Sequence, residues 1–213
     1  MNQSLKLLNE TSVPATQYDN PWLEAADEAG GGFGKLLKFN KGEWEISEDK
    51  VSEGREYIAY IDEVARGWVK FVDKQVVDRR IVKVRDGHAP KREELGDDDK
   101  DQWEVDDDGN PRDPWVFQWL LPMSPVDTAG DLTVFVTSSK GGKAAVGDLC
   151  RIYGRSKRNG LLPIVAIKTT SYKHPEFGKV FKPDFPIVGW HGTASPPQAP
   201  PDNGEPWDDE IPY

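Results

Sequence analysis

Between Lys35 and Lys83 polar and apolar residues alternate with a period of two, in short runs broken by turn-forming pairs. On an extended backbone successive side chains point to opposite faces, so such runs offer one face to a core and the other to solvent or a ligand. They cannot form the stripe that a helix buries. Leu36–Asn40, Trp44–Ile46, Glu56–Ile61, Arg66–Val72 and Gln75–Lys83 therefore predict strands, separated by Lys41-Gly42, Glu53-Gly54 and Asp73-Lys74. Trp115–Leu121, Leu132–Thr137, Leu161–Lys173 and Phe185–Trp190 predict four more. A single helical period stands late among them, where Ala145, Val146, Leu149, Ile152 and Tyr153 fit one face and Ser138 or Ser139 serves as cap. The class expected is all-β with minor α.

Alternation also sorts the faces. In Arg66–Phe71 it puts Arg66, Trp68 and Lys70 on one side and Val69 with Phe71 on the other, toward a core. Trp115, Phe117 and Trp119 share a face read as core, because Val116 and Leu120 make the opposite face apolar too. In 132–137, Leu132, Val134 and Val136 read as inward and Phe135 as outward between threonines. His174–Lys182 reads as a basic, aromatic loop.

Net charge is -10 over 213 residues, which by itself argues against a polyanionic ligand. Its distribution reverses that inference. Residues 86–113 hold twelve acids and four bases without strand or helix period, a long acidic excursion, and residues 191–213 hold five acids and no base. The window 135–182 carries ten Lys and Arg against Asp148 and Glu176. A basic region interleaved with aromatics has the composition of a surface for flexible nucleic acid, with cations for the backbone and rings for stacked bases. The residues expected to make those contacts are Arg66, Trp68, Lys70, Phe135, Lys140, Lys143, Arg155, Lys157, Arg158, Lys168, Tyr172, Lys173, Phe177, Lys179 and Phe181.

Other chemistries fit less well. Cys150 is the only cysteine, which excludes an intrachain disulfide and a cysteine zinc site. Asp97, Asp99 and Asp101 have part of a calcium-loop spacing, but Gln102 stands where glycine is required. Gly141-Gly142-Lys143 invites comparison with a phosphate loop, yet Ala144 occupies the place of the magnesium-binding hydroxyl. His88, His174 and His191 are scattered, without metal-ligand spacing. No cofactor and no metal are expected, and no enzyme activity. The alternatives are a metal-dependent nuclease and a scaffold that binds no DNA; RNA as ligand stays open, since stacking ignores the 2′-hydroxyl. No apolar run reaches the roughly 18 residues of a membrane span, and no leader pattern opens the chain, so a cytoplasmic protein is expected.

The chain ends Pro206-Trp207-Asp208-Asp209-Glu210-Ile211-Pro212-Tyr213, behind the Pro-rich stretch 191–205. Acid and proline bury too little to fold alone, so the tip is suited to enter a pocket on another molecule. Asp208–Tyr213 resembles the C-terminal tip of the bacterial single-stranded DNA-binding proteins, a run of aspartates closed by Ile-Pro-Phe; here Glu210 replaces an aspartate and Tyr213 the phenylalanine. The resemblance covers the tip alone and suggests a divergent, phage-like member in a bacterial or phage-infected cell. It implies a protein that coats single-stranded DNA in replication, recombination and repair. Trp207, Asp208, Asp209, Glu210, Ile211, Pro212 and Tyr213 would then recruit partner enzymes. With the strand pattern, it implies an oligonucleotide-binding (OB-like) barrel with insertions over residues 35–190. Residues 1–34 would be a flexible arm with one short helix opening at Asn20-Pro21, 191–205 a linker and 206–213 the interaction tip. A homo-oligomer is compatible with the sequence, which does not set the number of copies.

Overall fold

The computed structural model describes residues 35–192 apart from Glu48, 107–108, 129–130, 157–159 and Phe177. The expected N-terminal helix, the linker, Lys157, Arg158, Phe177 and the tip Trp207–Tyr213 lie outside the described residues. The described chain is mostly β, a curled half-barrel sheet with one helix.

Strands β1 (Lys35–Asn40), β2 (Glu43–Ile46) and β3 (Asp49–Val51) form an antiparallel meander. The first turn is Lys41-Gly42, both at positive φ. Strand β4 (Glu56–Ala59) leads through one 3₁₀ turn into the hairpin of β5 (Ala65–Val72) and β6 (Gln75–Lys83). Its two-residue turn, Asp73-Lys74, has φ of 50° and 64°, the mirror-image conformation that matches strand twist. Strand β7 (Trp115–Pro125) is the trunk of the sheet. Its eleven residues pair with β5 through Trp115–Leu120, with β4 through Met123–Pro125, and with β8 (Thr133–Thr137) through Trp119–Met123. β8 runs parallel to β1, and β9 (Leu162–Ala166) joins β4 to the edge strand β12 (Ile187–His191). Strands β10 (Lys168–His174) and β11 (Gly178–Asp184) make a separate two-stranded ribbon.

Helix α1 (Lys140–Ser156) packs on the hollow of the sheet through Gly142, Ala145, Val146 and Leu149. Ser139 caps it: its Oγ accepts from the Gly142 N–H at 3.0 Å. Gly142 is required by close approach, because a Cβ there would lie 2.1 Å from Thr137 Oγ1. Beneath the helix Leu37, Trp44, Tyr57, Leu121, Met123, Val165 and Ile167 build the core with Phe135 and Phe185. Each such side chain contributes roughly 1.5–3 kcal/mol by leaving water.

Three expectations are corrected here. Phe135 is 1% exposed and belongs to the core, its ring 5.6 Å from Trp44 and 5.2 Å from Phe185. The face of β8 read as outward is buried, as is Val134 on the face read as inward. Thr133 and Thr137 share that buried face, and Thr137 is tolerated because its hydroxyl bonds the Ser139 hydroxyl at 3.1 Å. Leu161–Lys173 is not one strand but two, since fully buried Ile167 turns its N–H to Arg55 O and its C=O to Gly54 N, ending the β9 ladder. The segment 174–182 is mostly strand β11 rather than loop.

The acidic excursion is folded against the sheet. Arg92 grips Asp113 with two hydrogen bonds of 2.8 and 3.0 Å and reaches the carbonyls of Gly96 and Asp97. One carboxylate, Asp97, takes both Lys70 Nζ at 2.9 Å and Trp115 Nε1 at 2.8 Å.

Candidate nucleic-acid interface

The β5–β7 register sets Arg66 opposite Trp119, Trp68 opposite Phe117 and Lys70 opposite Trp115. Directly paired residues share a face, so all six side chains stand on one side of the sheet. This is the side that farther along β7 carries Leu121 and Met123 into the core. Beyond the cover of α1 the same face emerges as an aromatic strip with cations set over its rings. The Arg66 guanidinium lies 5.4 Å from the Trp119 ring, and Lys143 Nζ, from the first turn of α1, lies 5.9 Å from Phe117. Trp68 meets Phe117 edge-on at 5.0 Å. Phe117, Trp119, Trp68 and Arg66 are all half-buried, which leaves part of each ring open to a ligand.

The strip closes at its Trp115 end. Trp115 is buried, Lys70 is held by Asp97 beside it, and Trp68 Nε1 donates to Pro90 O at 2.9 Å. Lys70 is thus an ion-paired residue of the sheet rim. The hydrogen bonds from Lys70 and then Trp115 hold the Asp97 carboxyl below the usual carboxylate range. Next to this end a cleft of about 380 Å³ is lined by Trp103, Phe71, Val116, Lys74, Arg112, Asp99 and Glu104. Its mixture of both charge signs singles out no ligand.

At the other end the strip meets the helix start. Lys140 is exposed there, and Gly141 packs against Lys182 of β11, whose Cβ lies 3.0 Å from where a glycine Cβ would be. The first turn of α1 therefore bridges the strip and the ribbon. Unpaired N–H groups at a helix start favour anions, and two lysines strengthen that preference. Arg66, Lys140, Lys143 and Lys182 have no carboxylate partner among the described residues, whereas Lys35, Lys50, Arg55 and Arg151 pair with Asp131, Glu43, Asp127 and Asp148.

The ribbon holds the remaining expected contacts that the structure describes. Lys168 and Tyr172 lie on one face with Thr170 and Lys182, and Lys173, Lys179 and Phe181 on the other. Lys179 Nζ sits 4.8 Å from the Phe181 ring. Arg155 is set apart from all of these, at the far end of α1, about 22 Å from Lys140 by helical rise.

The structure thus brings together Arg66, Trp68, Lys140 and Lys143, and adds Phe117, Trp119 and Lys182. The sequence did carry a signal for the added rings. Trp115, Phe117 and Trp119 repeat at the spacing of Arg66, Trp68 and Lys70, so two strands in register would place them face to face. Cys150, near Arg66 under the helix, keeps its thiol proton because burial raises its pKa. Among the described residues no group of three or more His, Cys, Asp or Glu side chains could hold a metal ion, and no helix is long and apolar enough to cross a membrane. No family model, curated protein or solved structure matches the chain.

Proposed function

We propose that this protein binds single-stranded DNA without sequence preference, coating it during replication, recombination and repair. The observation that carries the reading is the strip. Half-open rings of Trp68, Phe117 and Trp119 lie beside Arg66, Lys140, Lys143 and Lys182, cations that no described carboxylate neutralises. Bases stack on rings of any geometry that leaves a face open, and cations beside them hold the phosphates, a mode that reads no sequence. The half-barrel supports an OB-like architecture, with the ligand on one face of the sheet and among its loops. The C-terminal residues Trp207–Tyr213 recruit enzymes through the apolar Ile211-Pro212-Tyr213 end, and their acids compete with DNA for the same cations.

Titration of fluorescent oligo-dT at several salt concentrations tests both parts, using the full chain and a chain lacking Glu205–Tyr213. Binding that weakens steeply with salt, and strengthens at low salt when the tip is removed, is expected. A shortened chain with no affinity for oligo-dT in dilute buffer overturns the reading.

A further inference from the structure

The β10–β11 ribbon stands outside the main sheet. Seven registered pairs, Lys168↔Asp184 to His174↔Gly178, hold it together, and no other described strand pairs with it. Its base is fixed. Thr169 Oγ1 donates to Gly42 O at 3.1 Å, the Thr169 N–H donates to Glu53 Oε1 at 3.0 Å, and the Phe181 ring lies on Gly42. Beyond that base and the contact of Gly141 with Lys182, the outer half of the ribbon is in water: Lys173 and Lys179 are exposed and Tyr172 is 47% exposed. A two-stranded hairpin end that packs on no described element is marginal in water, so an exposed ring such as Tyr172 there calls for a partner.

Its charges identify the partner. Lys173 is directly opposite Lys179 on one face, a like-charge pair that costs stability until an anion lies between them. Lys168 stands on the other face, beside Lys182, which belongs to the single-strand strip. Cations on both faces suit a ligand with two rows of phosphate, one for each side. A single strand has one row; a duplex groove has two. A ribbon about 10 Å thick with its side chains also fits a major groove about 12 Å wide.

We propose that the β10–β11 ribbon is a finger that inserts between the two backbones of duplex DNA. The chain then carries two nucleic-acid surfaces joined by the start of α1, and it sits where single-stranded DNA meets a duplex. This rests on the single-strand reading for one surface only. Sequence grouped Lys168, Tyr172, Lys173, Lys179 and Phe181 with the single-strand contacts; the geometry assigns them to the duplex side.

The test compares oligo-dT, a blunt 20-base-pair duplex, and the same duplex with an oligo-dT tail, by fluorescence anisotropy on the full chain. The tailed duplex should bind at least fivefold tighter than oligo-dT alone. In K173Q/K179Q that gain should vanish while oligo-dT affinity stays within twofold, and thermal stability should hold or rise as the like-charge pair goes. A tailed duplex that binds no tighter than oligo-dT overturns the proposal, as does a variant that loses both ligands in equal proportion. Wild-type protein that binds the blunt duplex through Lys173 and Lys179 but ignores oligo-dT refutes the single-strand reading and keeps the finger.

Discussion

Neutralising Arg66, Lys140, Lys143 and Lys182 together, as R66Q/K140Q/K143Q/K182Q, should change the salt dependence of DNA binding by a calculable amount. Each phosphate contact to a single strand contributes about 0.7 to the slope of log K against log salt, so four contacts contribute about 2.8. Between 50 and 200 mM salt the wild-type chain should accordingly lose about 50-fold more affinity than the variant. Folding should survive, since none of the four has a described carboxylate partner. The cation–ring contacts of Arg66 and Lys143 are worth about 0.5–1 kcal/mol each at exposed sites. Oligo-dT anisotropy at four salt concentrations measures the slope, and urea unfolding checks the fold. Neutralising the paired cations Lys35, Lys50 and Arg151 supplies the control. Equal slopes for wild type and variant, or an equal drop in the control, would refute the assignment of these cations to the ligand.

Phe135→Ala should cost about 3–5 kcal/mol in urea unfolding and leave the oligo-dT affinity of the folded fraction unchanged, as a core ring requires. Gly142→Ala forces a methyl against Thr137 Oγ1 and should lower stability by about 1–3 kcal/mol, read by the same unfolding curve. Asp97 has its pKa lowered by Lys70 and Trp115, so its contribution is fully present above the ordinary value of 3.8 and is lost as pH falls through the lower folded value. Urea midpoints between pH 5 and pH 2.5 should fall less steeply in D97N than in wild type; parallel curves would show that Asp97 is not a stabilising tie.

Strand β6 was legible to its ends, Gln75 to Lys83, because the two-residue turn Asp73-Lys74 and a β-branched-rich run after it fix a hairpin locally. Helix α1 was legible from its stripe and from Ser139, although it begins at Lys140, five residues before the first position of that stripe. Phe135 was misplaced for a physical reason. Polarity alone marks threonine as outward, whereas Thr133 and Thr137 are carried inward by a curled sheet whose concave side is decided by distant partners. The strip could not be read off one strand either. Arg66, Trp68 and Lys70 announce a face, but only pairing with β7 turns it into a surface with Phe117 and Trp119, and pairing is not a local property. The pairing of Lys70 was not legible because Asp97 stands 27 positions away in a segment with no period at all.

The wall beside β8 is closed by the earliest described strand. Leu36 pairs with Val134, and Ile58 of β4 waits for Ile164. During synthesis on the ribosome, neither of these two pairings can form until most of the domain has been made, so folding must be late and slow relative to a helical protein of equal size. A fragment that stops before Leu162 would expose the outer edge of β4 as a template for aggregation. Attempts to shorten this protein should therefore trim outside 35–191 and leave the span between intact.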